Sequence, residues 1–188
     1  MQRQFSRFVE LPSRENYLAA CRAVLRRAEL PLVAIDLADL EQLLDAGEFQ
    51  EVLDRIDSLP ASKALSPRVH FFAAEAAEAL GDLETGEVER FLFVLCLKGL
   101  LATGDGSQSA PYVVCHATDE HDVLEALAHE PAGQTLLADA TQMLDMITCT
   151  DGRQVWFDVS AIFPRPARRV KPRANRRGIV RRVSRSPR

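Results

Sequence analysis

Reactive side chains are most densely grouped between His116 and Asp122. This stretch of seven residues contains two imidazoles and three carboxylates, carried by His116, Asp119, Glu120, His121 and Asp122. Imidazoles and carboxylates are ligands for metal ions such as Zn²⁺, and they also act as general acids and bases. A second interpretation needs no chemistry, because carboxylates in the first turn of a helix stabilise the positive end of the helix dipole.

The spacing of these side chains favours the second interpretation. His116 ends a predicted strand and His121 lies in a predicted helix, so the two imidazoles lack the i, i+4 spacing of the HExxH zinc motif. The sequence therefore predicts no catalytic residue, no metal site and no bound cofactor. The candidates that a metal site would use are His116, Asp119, Glu120 and His121.

The other candidate site is a glycine-rich loop, Thr103-Gly104-Asp105-Gly106. Glycines let a backbone approach a phosphate or a carboxylate closely. The phosphate-loop pattern is absent from this chain, however, and the Asp105 carboxylate would repel an anion. Turn formation is therefore the favoured role, and a ligand at this loop would contact Thr103 and Asp105.

The first half of the chain is predicted to be helical. Apolar residues from Ser13 to Glu29 recur at spacings of three and four, which is typical of a helix with one buried face. Prolines and glycines divide the following residues into four further helices. These are a helix after Asp36 with Leu37, Leu40, Leu43 and Leu44, helices from Glu48 to Leu59 and from Pro67 to Leu80, and a fifth helix with Val88, Phe91, Leu92, Leu95 and Cys96.

The turn between the second and third helices recurs along the chain. Ala46-Gly47-Glu48-Phe49 is followed by Leu80-Gly81-Asp82-Leu83, and the two glycines are 34 residues apart (81 − 47 = 34). This interval is the period of tetratricopeptide repeats, in which antiparallel helix pairs stack on their neighbours. The recurrence predicts a tetratricopeptide-like stack of helical hairpins, and an unrelated helical bundle is the alternative.

Beyond Leu101 the hydrophobic pattern becomes typical of strands. Strands are predicted at 112–117, 146–150 and 154–159, and the Asp151-Gly152 pair favours a two-residue type I′ hairpin. Thr118 or Asp119 is predicted to cap an intervening helix. The expected fold is α+β, a single domain over 13–163. It consists of helical hairpins over 13–102 and a cap with a small three-stranded antiparallel sheet over 103–163.

Four motifs of the second half form a set. They are the Thr103-Gly104-Asp105-Gly106 loop, the run Pro111 to Val114, Asp119-Glu120 with Val123, Leu124 and Leu127, and the hairpin that ends in Trp156 to Val159. As a set they resemble an uncharacterised bacterial family, a domain of unknown function, over roughly Tyr17 to Phe163. The resemblance implies helices followed by a small unit with strands, and it implies no activity and no catalytic residue.

Charge is segregated along the chain. The total is 23 Lys and Arg against 27 Asp and Glu. Residues 164–188 contain ten Arg, one Lys and no acid (+11), so the preceding part keeps 12 bases against 27 acids (−15). Four prolines oppose a continuous helix in this segment, which is predicted to be a disordered basic tail. Its candidate nucleic-acid contacts are Arg168, Arg169, Lys171, Arg173, Arg176, Arg177, Arg181 and Arg182.

Three roles for the tail stay open. It could bind nucleic acid, in which case each phosphate contact would make the affinity depend on salt. It could fold back on the acidic body, or it could have no role.

Several classes of protein are excluded. The apolar runs 91–97 and 99–102 are shorter than the roughly 20 residues of a membrane-spanning helix, and the N-terminus lacks the apolar segment of a secretory signal. The four cysteines are widely spaced and include no CxxC pair, which disfavours a zinc or dithiol site. We therefore expect a cytoplasmic protein that does not bind membranes.

The preferred functional prediction is a non-enzymatic module that binds a protein or a peptide in a groove between helices. The first alternative is a nucleic-acid-associated protein that acts through its Arg-rich tail. The second is a metal-dependent enzyme that uses the cluster from His116 to Asp122.

Overall fold

Residues 2–25, 37–138 and 141–163 are described by a computed structural model. Within these ranges the helices are α1 Gln2–Glu10, α2 Arg14–Leu25, α3 Ala38–Asp45, α4 Phe49–Ser58, α5 Pro67–Ala79, α6 Leu83–Leu101 and α7 Thr118–Ala126, with a 3-10 turn at Ala61–Leu65. The strands are β1 Tyr112–Val113, β2 Pro131–Ala138, β3 Met143–Cys149 and β4 Gln154–Asp158. The predicted α+β class is confirmed, and the predicted basic tail lies outside the described residues.

Helices α3 to α6 form two hairpins, and the first helix of each ends in a glycine with positive φ. Gly47 has a φ of +77° and Gly81 a φ of +84°. The N–H of Gly47 donates to Leu44 O, and the N–H of Glu48 donates to Leu43 O. The amides at and after Gly81 donate to α5 in the same pattern. This ending requires a residue in the left-handed region, which glycine adopts without strain. The 34-residue recurrence therefore corresponds to two turns of the same geometry.

Helix α1 precedes the first predicted helix and was missed by the periodicity argument. Its Phe8 is buried against Tyr17 of α2, with ring centroids 5.3 Å apart in an edge-on arrangement. Ser13 is the N-cap of α2, because its hydroxyl accepts the N–H of Asn16. The predicted end of this helix at Glu29 lies outside the described residues.

The sheet has four strands of mixed direction, so the prediction of three antiparallel strands is wrong. Its order is β1-β4-β3-β2, with β1 parallel to β4 and the other pairs antiparallel. Strand β1 covers only two of the residues predicted at 112–117. The sequence does not predict β2, because Pro131, Gly133 and its alanines have low strand propensity. These residues are tolerated because β2 is a fully exposed edge strand.

The turn between β3 and β4 also differs from the prediction. Gly152 has a φ of +82°, whereas Asp151 does not have the positive φ that a type I′ turn needs. The N–H of Gly152 donates to Cys149 O, and the N–H of Cys149 donates to Arg153 O. This pattern is typical of a type I turn followed by a left-handed glycine in a bulge, so the prediction of a two-residue type I′ turn is wrong.

Two hydrophobic cores hold the chain together. The larger core joins α1, α2, α6 and α7 to the sheet and includes Tyr17, Leu100 and Phe157. The smaller core lies among α3, α4 and α5, around Val52 and Phe72. Helix α6 contributes to the larger core and packs along α5, which leaves its opposite face uncovered by described residues. In the described part of the chain, no helix has the length and apolar character to cross a membrane.

Candidate functional site

Helix α7 carries the polar cluster, but it begins differently from the prediction. The residue that precedes the helix is Ala117, so neither Thr118 nor Asp119 is its N-cap. The Asp119 carboxylate is buried and turns back toward the preceding loop. Its Oδ2 accepts the N–H of Cys115 at 2.8 Å and that of His116 at 2.9 Å. These two loop amides use the carboxylate, and the predicted cap at Thr118 or Asp119 is wrong for that reason.

The two imidazoles of the cluster lie in different environments. The His116 side chain is only 5% exposed, and its Nδ1 lies 3.6 Å from Asp119 Oδ1. The His121 side chain is 67% exposed, and its Nε2 lies 3.9 Å from Glu125 Oε2. His116 and His121 therefore do not share a site.

Glu120 is a buried carboxyl that faces the sheet. Its Oε1 has no hydrogen-bond partner among the described residues. Nearby on β3 is the buried Asp145, whose Oδ2 accepts a hydrogen bond from the Gln134 amide of β2. Burial, together with the negative charges of Asp145 and Asp119, raises the pKa of Glu120 to about 8. The Glu120 carboxyl therefore keeps its proton at neutral pH.

Asp122 is also buried, but it has a cationic partner. Its Oδ1 accepts a hydrogen bond from Arg68 Nε of α5 at 2.8 Å, and Nη2 of the same guanidinium forms an ion pair with it at 2.7 Å. The same guanidinium reaches Glu125 at 2.6 Å. Burial raises the pKa of Asp122 to about 6, although the Arg68 charge acts in the opposite direction. The pair ties α5 to α7.

The cluster divides into separate contacts. Asp119 contacts the loop before α7, in which His116 lies, Glu120 is near Asp145, and His121 lies at the surface. Among the residues that the structure describes, no group of three or more His, Cys, Asp or Glu side chains is arranged to hold a metal ion. The carboxyls of Asp119, Glu120 and Asp122 are buried inside the fold.

Thr103 of the glycine-rich loop connects three parts of the fold. Its hydroxyl donates to Leu100 O at 2.7 Å and accepts the N–H of Val113 at 2.8 Å. Its carbonyl accepts a hydrogen bond from Arg14 Nε. Thr103 is 3% exposed, so its polar groups serve the contact between α2, α6 and β1.

Asp105 organises the turn that follows. Its Oδ1 accepts the N–H of Ser107 at 2.9 Å, and this hydrogen bond lowers the pKa of Asp105. The N–H groups of Asp105 and Gly106 both donate to Ala110 O, so they do not form a cradle for an anion. The loop uses its polar groups within the turn.

An apolar surface on α6 is the feature that sequence reasoning missed. Its exposed fractions are 52% for Val88, 55% for Phe91 and 43% for Val94. Beside it opens a groove of about 500 Å³, with Phe8 and Pro12 on its other side. We name this surface the α6 face, and it consists of Glu84, Glu87, Val88, Phe91, Val94 and Lys98.

The sequence contained a signal for this surface. Leu95 and Cys96 of α6 are buried in the larger core, whereas Val88 and Phe91, which were expected on the same buried face, are exposed. A helix that is apolar on nearly all sides must be covered on all of them or must offer one side to a partner.

No family model, curated protein or solved structure matches this chain. The resemblance to the bacterial family stays a prediction.

Proposed function

We propose that this protein is a non-enzymatic interaction module that binds a protein or a peptide through the α6 face. The observation that carries the proposal is the contiguous apolar surface of Val88, Phe91 and Val94, which no described residue covers. Contiguous apolar patches on the surface of soluble proteins are often interaction sites. Phe91, an aromatic residue at the centre of the patch, is the type of residue that anchors a partner.

The form of the surface supports a helical or extended peptide ligand. The α6 face follows one side of a helix of 19 residues and continues into a groove bounded by Phe8 and Pro12. Helix-in-groove recognition uses apolar anchors at this spacing. The equal turns at Gly47 and Gly81 support a tetratricopeptide-like stack of the hairpins, an architecture that presents such surfaces.

The burial of the ionisable cluster supports a role without catalysis. Glu120 and Asp122 have pKa values displaced by burial, as catalytic groups often do. They are, however, 9% and 3% exposed, and neither of them lines the groove beside the α6 face.

Selection of peptides tests the proposal. A displayed library of random peptides is selected on the full chain, and the enriched peptides are measured against Phe91→Glu and against Phe163→Glu, a matched control at another exposed phenylalanine. We expect Phe91→Glu to weaken binding about thirtyfold, the effect of a hot-spot residue worth about 2 kcal/mol, and Phe163→Glu to leave it unchanged. Failure to enrich peptides, or equal binding by both variants, would contradict the proposal.

A second candidate function rests on the charge of residues 164–188. The ten Arg and one Lys there, with no acid, favour contact with nucleic-acid phosphates. The test compares the full chain with a full-length variant that carries Gln at the eight candidate positions from Arg168 to Arg182. Binding to mixed DNA and RNA should depend steeply on salt and should be lost in the variant. Equal binding of the two proteins at physiological salt would contradict this second function.

A further inference from the structure

The α6 face has opposite charges at its two ends. Glu84 and Glu87 lie in the first turns of α6, and Lys98 lies near its end. All three side chains are exposed. Within the described residues, Glu84 and Lys98 have no ion-pair partner, whereas the neighbouring Arg90 is paired with Glu75 and Glu78. The unpaired charges flank the apolar centre of the face.

These side chains are placed symmetrically about Phe91. Glu84 and Lys98 are each seven residues from it, and Val88 and Val94 are each three residues from it. If a second α6 lies antiparallel on the first with Phe91 opposite Phe91, Lys98 of each copy faces Glu84 of the other. Val88 then faces Val94. A parallel pair would instead place Glu84 against Glu84, so the charges select the antiparallel arrangement.

We infer that the occupant of the α6 face is the α6 face of a second copy of this chain, paired antiparallel about a two-fold axis beside Phe91. The inference rests on the proposed function and names its partner. A two-fold interface must be complementary to itself, which a face with an apolar centre and opposite ends satisfies.

Residues 164–188 of the same chain fit this face less well. The segment carries +11 and no aromatic side chain, whereas the face has an apolar centre, acids only at the end with Glu84 and Glu87, and a like charge, Lys98, at the other end. An intramolecular occupant would keep the chain monomeric at every concentration. The measurements below distinguish the two occupants.

The first measurement is the mass of the full chain by sedimentation equilibrium, from about 1 µM to about 300 µM. The mass should rise from 20.9 kDa toward about 42 kDa, twice that value. Phe91→Glu should remain monomeric, and Phe163→Glu should behave as the unchanged protein. A full chain that is monomeric over the whole range, or a dimer that persists in Phe91→Glu, would overturn the inference.

Charge exchange tests the antiparallel register. Glu84→Lys and Lys98→Glu should each weaken dimerisation about tenfold, because the symmetry places two like-charge pairs in each variant dimer. Mixing the two variants should restore a dimer, since Lys at 84 of one chain then faces Glu at 98 of the other. Glu51→Lys, on an exposed site of α4, is the matched control and should have no effect. A mixture that associates no better than either variant alone would refute the register.

Crosslinking tests the position of the axis. The four native cysteines are buried, so Glu84→Cys and Lys98→Cys, at exposed positions that face each other in the proposed register, provide accessible thiols and leave Phe91 in place. Diamide accepts two electrons and two protons from a pair of thiols and is reduced to the hydrazine as their disulfide forms. An equimolar mixture of Glu84→Cys and Lys98→Cys should give a covalent dimer on a non-reducing gel, and a mixture of Glu51→Cys and Lys98→Cys should not. Equal crosslinking of the two mixtures would refute the register.

The proposed function and the inference can fail separately. If selected peptides bind through Phe91 but the chain never dimerises, the proposed function holds and the second copy is not the partner. If the chain dimerises but no peptide is enriched, the second copy is the partner and binding of other peptides is contradicted.

Discussion

Glu120→Gln should stabilise this protein, and the gain should grow with pH. In the folded chain burial, with Asp145 and Asp119 beside it, raises the pKa of Glu120 to about 8 from an ordinary value of 4.5. Between these two pH values the unfolded chain releases the proton and the folded chain keeps it. The free energy of unfolding therefore falls as pH rises through this window. A glutamine stays neutral in both states and removes this dependence.

The magnitude follows from the two pKa values. They differ by 3.5, and each pKa unit corresponds to about 1.4 kcal/mol, so Glu120 costs about 5 kcal/mol once the pH exceeds 8. At pH 7 the cost is about 3 kcal/mol, and below pH 4.5 it vanishes. We therefore expect a gain of about 3 kcal/mol at pH 7 and almost none at pH 4.

Urea unfolding followed by circular dichroism at pH 4, 7 and 9 measures this gain. Asp122 adds a dependence of the same sign between its ordinary value of 3.8 and about 6, and it is common to both proteins. Glu51→Gln, at an exposed carboxyl, is the matched control and should leave the curve unchanged. If the free energies of unfolding of Glu120→Gln and of the unchanged protein varied with pH in parallel, the burial argument would be refuted. A variant less stable than the unchanged protein at pH 9 would refute it as well.

Three further substitutions test the packing by urea unfolding. Arg68→Met should lower the free energy of unfolding by about 3 kcal/mol at neutral pH, because it leaves the buried Asp122 carboxylate without its cation, and adding Asp122→Asn should recover most of the loss. Gly99→Ala should lower the free energy of unfolding by about 2 kcal/mol, because the added Cβ would lie 2.5 Å from Tyr17 Cδ2 and 2.7 Å from Phe8 Cζ. The Cβ of Gly133→Ala would lie in open space, so this variant should change the free energy of unfolding little. Ala128→Gly should raise the free energy of unfolding by about 1 kcal/mol, since this alanine follows the end of α7 with a φ of +54°, which glycine adopts without strain. An unchanged urea midpoint for Arg68→Met, Gly99→Ala or Ala128→Gly would contradict the argument for that residue.

Local signals predicted the helices well. Gly47, Gly81 and Pro60 end helices through their own backbone restrictions, which act in any tertiary context. The helices from 38 to 101 therefore lie within a few residues of their predicted bounds. Strand β2 could not be predicted in this way, because its pairing with β3 depends on a neighbour and its own residues oppose a strand.

The polar cluster was recognised from its density, but its partners are distant in sequence. Arg68 reaches Asp122 across 54 residues, and Asp145 approaches Glu120 from another strand. The sequence could not show that Asp119 would bind two loop amides instead of capping α7. That choice depends on the position of the loop against the helix.

The sequence by itself determined the helical turns, the α+β class and the charge segregation, because each follows from local backbone restrictions or from counting. The tertiary structure decided which apolar side chains are covered. Val88, Phe91 and Leu95 share one side of α6, yet Leu95 is buried and Phe91 is exposed. Burial depends on which elements reach a given point of the helix, and periodicity identifies only the side on which a residue lies. The proposed interaction surface therefore emerged only when the helices were packed.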